Sequence, residues 1–77
     1  MKAITKNFIY KNTITNREVD FRGNYEYEYI FEYSDVLFKC NYGRDCIHVY
    51  KKDNIHTTIY GVTSKKSFVQ LIFQLLN

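Results

Sequence analysis

The chain has 77 residues, of which 45% are hydrophobic and 18% aromatic, and its formal net charge is +3. This length predicts one domain over residues 1–77, and the lack of proline with only three glycines argues against a disordered linker. No apolar stretch approaches the roughly 18 residues of a membrane span, which excludes a membrane-spanning protein. Residues 1–7 lack the apolar stretch of a signal peptide, so we expect a cytoplasmic protein.

The first part of the chain reads as two short strands. Residues 2–10 carry the apolar side chains Ile4, Phe8 and Ile9 and predict a first strand. Residues 19–21 alternate cleanly and predict a second strand. The turn that follows, at residues 22–24, contains Gly and Asn, which tolerate a positive φ.

The most informative segment is residues 25–33, where every odd position is aromatic and three of the four even positions are Glu. Successive side chains of a strand point to opposite faces, so this segment predicts a strand with rings on one face and carboxylates on the other. A helical period of 3.6 residues would not separate them in this way.

Three more strands and one helix follow. Turn residues at 34–35, 42–45 and 52–54 separate strands predicted at 36–41, 46–51 and 55–60. Apolar side chains then recur at helical spacing over residues 64–76, with Thr63 or Ser64 as the N-cap. The sequence therefore predicts an α+β fold, an antiparallel β-meander of about five to six short strands at residues 2–60 with one C-terminal α-helix packed on a sheet face.

Turn positions predict the registers of the hairpins. The turn at 34–35 pairs Phe31 with Phe38, and a turn centred on Gly43 pairs Phe38 with His48. These registers gather the rings, both cysteines and His48 on one face. The opposite face then has an acidic end and an aliphatic end. Whether the helix covers the aromatic face or the aliphatic patch stays open at this stage, and a slip of one residue would reverse part of the assignment.

The cysteines and histidines are candidate chemical groups. Cys40 and Cys46 flank a short turn, and we expect reduced thiols in a protein without a signal peptide. A zinc site from both cysteines, His48 and His56 has no common ligand spacing, so no metal or other cofactor is predicted. A minimal nuclease using the two histidines as acid and base has no supporting motif, and we expect no enzyme.

The charged residues suggest two kinds of partner. Tyr stacking with Lys-rich turns would suit a nucleic-acid-binding module, but the basic residues lie apart from the aromatic strand. The Glu row could instead mimic the phosphates of a nucleic acid and dock on a nucleic-acid-binding enzyme.

We therefore expect a small non-enzymatic protein-binding module that docks through an acidic and aromatic sheet face. An inhibitor, immunity or anti-defence protein has this profile, and the abundance of Asn, Lys, Ile, Tyr and Phe suits an AT-rich phage or mobile-element genome. The predicted partner-binding residues are Glu18, Asp20, Glu26, Glu28, Glu32, Tyr27 and Tyr29. The aliphatic patch predicts a homodimer through Ile30, Leu37, Ile47, Val49, Ile55 and Ile59.

Overall fold

A computed structural model describes residues 4–15, 21–23, 27–41, 45–52 and 54–77. In chain order the elements are α1 (Lys6–Asn12), β1 (Ile14–Thr15), β2 (Tyr27–Tyr33), β3 (Val36–Asn41), β4 (Cys46–Lys51), β5 (Asn54–Tyr60) and α2 (Lys65–Leu76). The strands form one antiparallel sheet in the order β1-β2-β3-β4-β5. The predicted α+β meander with a C-terminal helix is confirmed.

The N-terminal segment is helical, so the strand predicted at residues 2–10 is wrong. Thr5 caps α1, because its hydroxyl accepts a hydrogen bond from the Phe8 amide at 3.1 Å. Ile9 is fully buried in the core. A helix of seven residues is marginal alone, so the packing of Ile9 is what stabilises it.

The second predicted strand falls largely outside the described residues, which include neither Val19 nor Asp20. Phe21 itself lies in a turn with Arg22, and its side chain is exposed. Gly23 in the predicted turn has a φ of +86°, a conformation that glycine adopts without a Cβ clash.

The hairpin between β2 and β3 has the predicted register. Phe31 faces Phe38, and Ser34 and Asp35 form the two-residue turn with φ values of 52° and 66°. Positive φ at both positions matches the right-handed twist of the flanking strands. At the other end of β2 the register shifts, and Tyr27 pairs with Asn41 rather than with a residue of the core face.

The register between β3 and β4 differs from the prediction by one residue. Phe38 lies opposite Val49 instead of His48, and His48 lies opposite Lys39. Because side chains alternate between faces, the difference moves all of β4 to the other face. Ile47 and Val49 thereby join the rings of the core, and the predicted placement of Cys46, His48 and Tyr50 on that face is wrong.

Helix α2 begins where the sequence predicts. Ser64 and Ser67 form a reciprocal capping box at its N-terminus. Gly61, with a φ of +110°, turns the chain from β5 towards the helix, and the amides of Gly61 and Val62 both donate to the Asp45 carbonyl at 2.9 Å.

Both helices pack on the same face of the sheet. They are antiparallel, since Lys6 lies near Phe73 whereas Tyr10 lies near Lys65. Asn77 ties their ends together, because its Nδ2 donates to the carbonyls of Ile4 and Phe73. The core beneath them consists of buried residues from the two helices, the sheet and the β5–α2 connection: Ile9, Phe31, Phe38, Cys40, Ile47, Val49, Val62, Phe68, Val69 and Ile72. The helices thus cover the aromatic face of β2 and β3, which answers the question that the sequence left open.

Candidate binding surface on the open sheet face

The face of the sheet opposite the helices is the candidate functional surface, and we call it the open face. Strand alternation and the pairing registers assign its residues. The described members are Ile14, Tyr27, Ile30, Glu32, Leu37, Lys39, Asn41, Cys46, His48, Tyr50, Ile55, Thr58 and Tyr60. Aromatic and aliphatic side chains predominate, whereas Lys39 and Glu32 are its charged members.

Lys39 lies at the centre of the open face between two tyrosines. Its Nζ is 4.3 Å from the ring centroid of Tyr27 and 5.4 Å from that of Tyr50. The irregularity in β2 makes this possible, because it turns Tyr27 away from the face that carries Tyr29. Each ring attracts the ammonium group through its quadrupole, so Lys39 makes cation–π contacts with both tyrosines.

His48 extends this arrangement towards β5. Its Nδ1 lies 3.1 Å from the Thr58 hydroxyl, and its Nε2 lies 3.7 Å from the Cys46 Sγ. Its ring meets that of Tyr50 edge-on, with the centroids 6.5 Å apart. These contacts on several sides fix the orientation of the imidazole before any partner arrives.

Exposed apolar side chains lie along the two outer strands of the open face. Ile14 of β1 is 46% exposed, whereas Ile55 and Tyr60 of β5 are 59% and 70% exposed. Leu37 is half-buried between them. Side chains of this kind on both flanks of an aromatic centre are typical of protein-binding surfaces.

Only Glu28 and Glu32 of the predicted acidic residues lie in the part of the chain that the structure describes, and they have different surroundings. Glu18, Asp20 and Glu26 fall outside the described residues, and Glu32 is exposed on the open face. Glu28 interacts with Tyr29, which packs against Phe68 on the helical side. Burial, followed by the Glu28 carboxylate, raises the pKa of Tyr29 above its usual value. Of the two predicted tyrosines, only Tyr27 reaches the open face.

The predicted aliphatic patch is divided between the two faces. Ile47 and Val49 are 0% and 2% exposed, so their predicted placement on an exposed patch is wrong. Ile59 packs against the core on the helical side. The other predicted residues, Ile30, Leu37 and Ile55, belong to the open face. Homodimer formation stays a prediction, and the dimer interface would lie on the open face.

The cysteines and histidines do not form a common site. Cys40 and Cys46 are both buried, and the part of the chain that the structure describes contains no group of three or more metal-ligating side chains. His56 lines a cavity of about 390 Å³ with Val49 and Leu76 on the helical side, whereas His48 lies on the open face. The two histidines therefore lie on opposite sides of the sheet, and the arrangement that a histidine acid–base pair would need is absent.

Sequence reasoning missed the part that Tyr50 plays on this surface. Alternation along β3 places Lys39 on the face away from the core rings, but the predicted register put Tyr50 among those rings.

Comparison with protein families, curated proteins and solved structures finds no match to this chain. Neither of its described helices is long and apolar enough to cross a membrane.

Proposed function

We propose that the protein is a non-enzymatic binding module whose open face docks on an apolar surface of another protein that presents a carboxylate. The observation that carries this proposal is the position of Lys39 between Tyr27 and Tyr50 at the centre of the open face, which neither described helix covers. An ammonium group held by two rings has lost side-chain freedom in advance, which favours its pairing with an incoming carboxylate.

The composition of the open face favours a protein over a nucleic acid there. Protein interfaces are enriched in Tyr and depleted of charge at their centre, and this centre has one lysine among rings and aliphatic side chains. The apolar flank at Ile14, Leu37 and Ile55 offers nothing to a phosphate backbone.

The proposed partner differs in kind from the one that the sequence suggested. The sequence suggested that carboxylates of this chain would dock on a basic groove, as in a nucleic-acid mimic. Glu28 interacts with Tyr29, which packs on the helical side, and Lys39 lies at the centre of the described part of the open face. This arrangement supports a partner that presents a carboxylate. An inhibitor or immunity role in a phage or mobile element is a narrower form of the proposal, and it rests on the small size and composition of the chain.

Site-specific photo-crosslinking tests the proposal. A photoreactive phenylalanine replaces Tyr60 or Ile55 on the open face, and in the control it replaces Gln74 on the exposed side of α2. The labelled proteins are irradiated in a lysate of the source cell. We expect both open-face positions to capture the same protein and the Gln74 position to miss it. The substitution Lys39→Glu should abolish the capture, because it replaces the central cation with a carboxylate that repels the carboxylate of the partner.

Two outcomes would contradict the proposal. Equal capture from Gln74 and from Tyr60 would show that the open face has no special role. Capture that survives Lys39→Glu would show that the central cation does not contact the partner. Circular dichroism of each variant confirms that the fold is retained.

A further inference from the structure

The two helices form a second surface whose charge differs from that of the open face. Their sequences contain four lysines, Lys6, Lys11, Lys65 and Lys66, and no Asp or Glu. A groove of about 240 Å³ runs between the helices, and its walls are formed by Lys6, Asn7, Tyr10, Lys66, Val69 and Gln70. We propose that this groove binds a single strand of nucleic acid, a function separate from that of the open face.

The positions of the lysines suit a phosphate backbone. Because α1 and α2 are antiparallel, Lys6 lies towards one end of the groove, and Lys66 lies towards the other end with Tyr10. Tyr10 is four positions after Lys6 in α1, a rise of about 6 Å along the helix. The groove therefore offers ammonium groups at two points along a bound strand, and no carboxylate of either helix opposes them.

The other walls of the groove suit an unpaired base. Tyr10 is 49% exposed, and the Lys65 ammonium lies 4.0 Å from its ring centroid. Lys65 restrains the ring, and the exposed half of the ring in the groove wall is available for stacking. Asn7 and Gln70 bring amide donors and acceptors that can meet a base edge, and Val69 provides an apolar floor.

These features favour a single strand over a duplex or a lipid surface. A duplex keeps its bases stacked on one another, so the Tyr10 ring would have no partner in it. An anionic membrane would meet the convex ridges of the helices, whereas the ring, the amides and Val69 line a concave groove. Phe8, the other exposed ring of α1, packs edge-on against Tyr33 and is not part of the groove.

The test measures the fluorescence anisotropy of a labelled oligothymidylate of about 12 nucleotides, within the usual site size of single-strand binders. We expect binding that weakens linearly with the logarithm of salt concentration, with a slope of about −0.7 for each phosphate neutralised. Lys6→Gln combined with Lys66→Gln should weaken binding about tenfold at low salt and reduce the slope. Lys51→Gln combined with Lys52→Gln removes the same charge from residues that do not line the groove and should change the affinity little.

A second variant separates stacking from charge. Tyr10→Leu should weaken binding and leave the salt slope unchanged, because it removes a ring and no cation. Absence of binding at low salt would overturn the proposal, and so would equal weakening by the two lysine pairs. Preferential binding of a duplex, or of phosphatidylserine vesicles through Lys6 and Lys66, would also overturn it. The photo-crosslinking experiment on the open face is independent of all these outcomes.

Discussion

Phe38 lies directly opposite Val49 where β3 and β4 pair. This contact decides which alternate residues of β4 lie in the core and which lie on the face available to a partner. With Val49 beside Phe38, Ile47 is also buried under the helices, and Tyr50 and His48 come to the open face with Lys39. The candidate binding surface therefore follows from this one register.

The register predicts a difference between two chemically identical substitutions. Ile47→Val removes a methylene from a fully buried side chain and should lower the free energy of unfolding by about 0.5–1.5 kcal/mol. Ile55→Val makes the same change at a residue that is 59% exposed and should stay within about 0.5 kcal/mol of the parent protein. Urea denaturation measures both. Equal effects would mean that Ile47 and Ile55 are equally exposed, as the sequence had predicted.

The turn between β2 and β3 offers a stabilising change. Ser34 and Asp35 both have positive φ, which strains ordinary residues and suits the Asn-Gly pair. Ser34→Asn combined with Asp35→Gly should raise the free energy of unfolding by up to about 1 kcal/mol. Asp35→Val should lower it, since a β-branched residue is poorly accommodated at positive φ. A shift of the urea midpoint in the opposite direction for either variant would rule out this turn conformation.

The capping box of α2 predicts a third effect. Ser64→Ala removes the hydroxyl that accepts from the Ser67 amide at 3.3 Å and should destabilise the protein by about 1 kcal/mol. Ser67→Ala should cost a similar amount, because the Ser67 Oγ accepts from the Ser64 amide at 2.9 Å. Gln74→Ala, on the exposed side of the same helix, is the control and should have little effect. If α2 began at another residue, all three variants would have a similar free energy of unfolding.

Cys40 predicts a loss of stability at alkaline pH. Burial, followed by the nearby Glu28 carboxylate, raises the pKa of the Cys40 thiol from 9.0 to about 11. Between these two pKa values the unfolded chain releases the proton while the folded chain keeps it. The contribution of Cys40 is therefore complete below pH 9 and is lost as the pH rises towards 11.

The measurement for Cys40 is the urea midpoint as a function of pH. Cys40→Ala should give a flatter decline than the parent protein between pH 9 and 11. The Cys46→Ala variant is the control and should keep most of the decline, because burial is the largest cause of the raised pKa of Cys40. Tyr29, whose pKa is raised mainly by burial, adds a further loss as the pH rises above 10.0. Identical curves for the parent protein and Cys40→Ala would contradict the assignment.

The sequence predicted the parts of the fold that local chemistry specifies. The bounds of β3 and β4 and the start of α2 follow from turn residues, from alternation and from a Ser cap. The Phe31–Phe38 pair was predictable because a two-residue turn at Ser34 and Asp35 permits one register. The four-residue connection between Asn41 and Cys46 permits more than one register, so the predicted pairing of β4 with β3 differs from the observed pairing by one residue.

The N-terminal segment shows a second limit of local reasoning. Ile4, Phe8 and Ile9 fit a short strand about as well as they fit one side of a helix. Helix α1 forms because Ile9 inserts into a core built by α2 and the sheet. Such a contact with residues distant in the chain cannot be predicted from the local sequence pattern. The irregularity that turns Tyr27 to the open face is likewise a matter of pairing with Asn41 and not of its own alternation.

The sequence by itself determined an α+β meander, its main turns, its C-terminal helix and the aromatic character of one strand, because these depend on periodicity and on residues close in the chain. Only the tertiary structure decided which face the helices cover, where Ile47, Val49 and Tyr50 lie, and that Lys39 sits between two rings. The physical reason is that strand side chains alternate with a period of two residues. A one-residue difference in pairing therefore exchanges core and surface without changing the sequence of either strand.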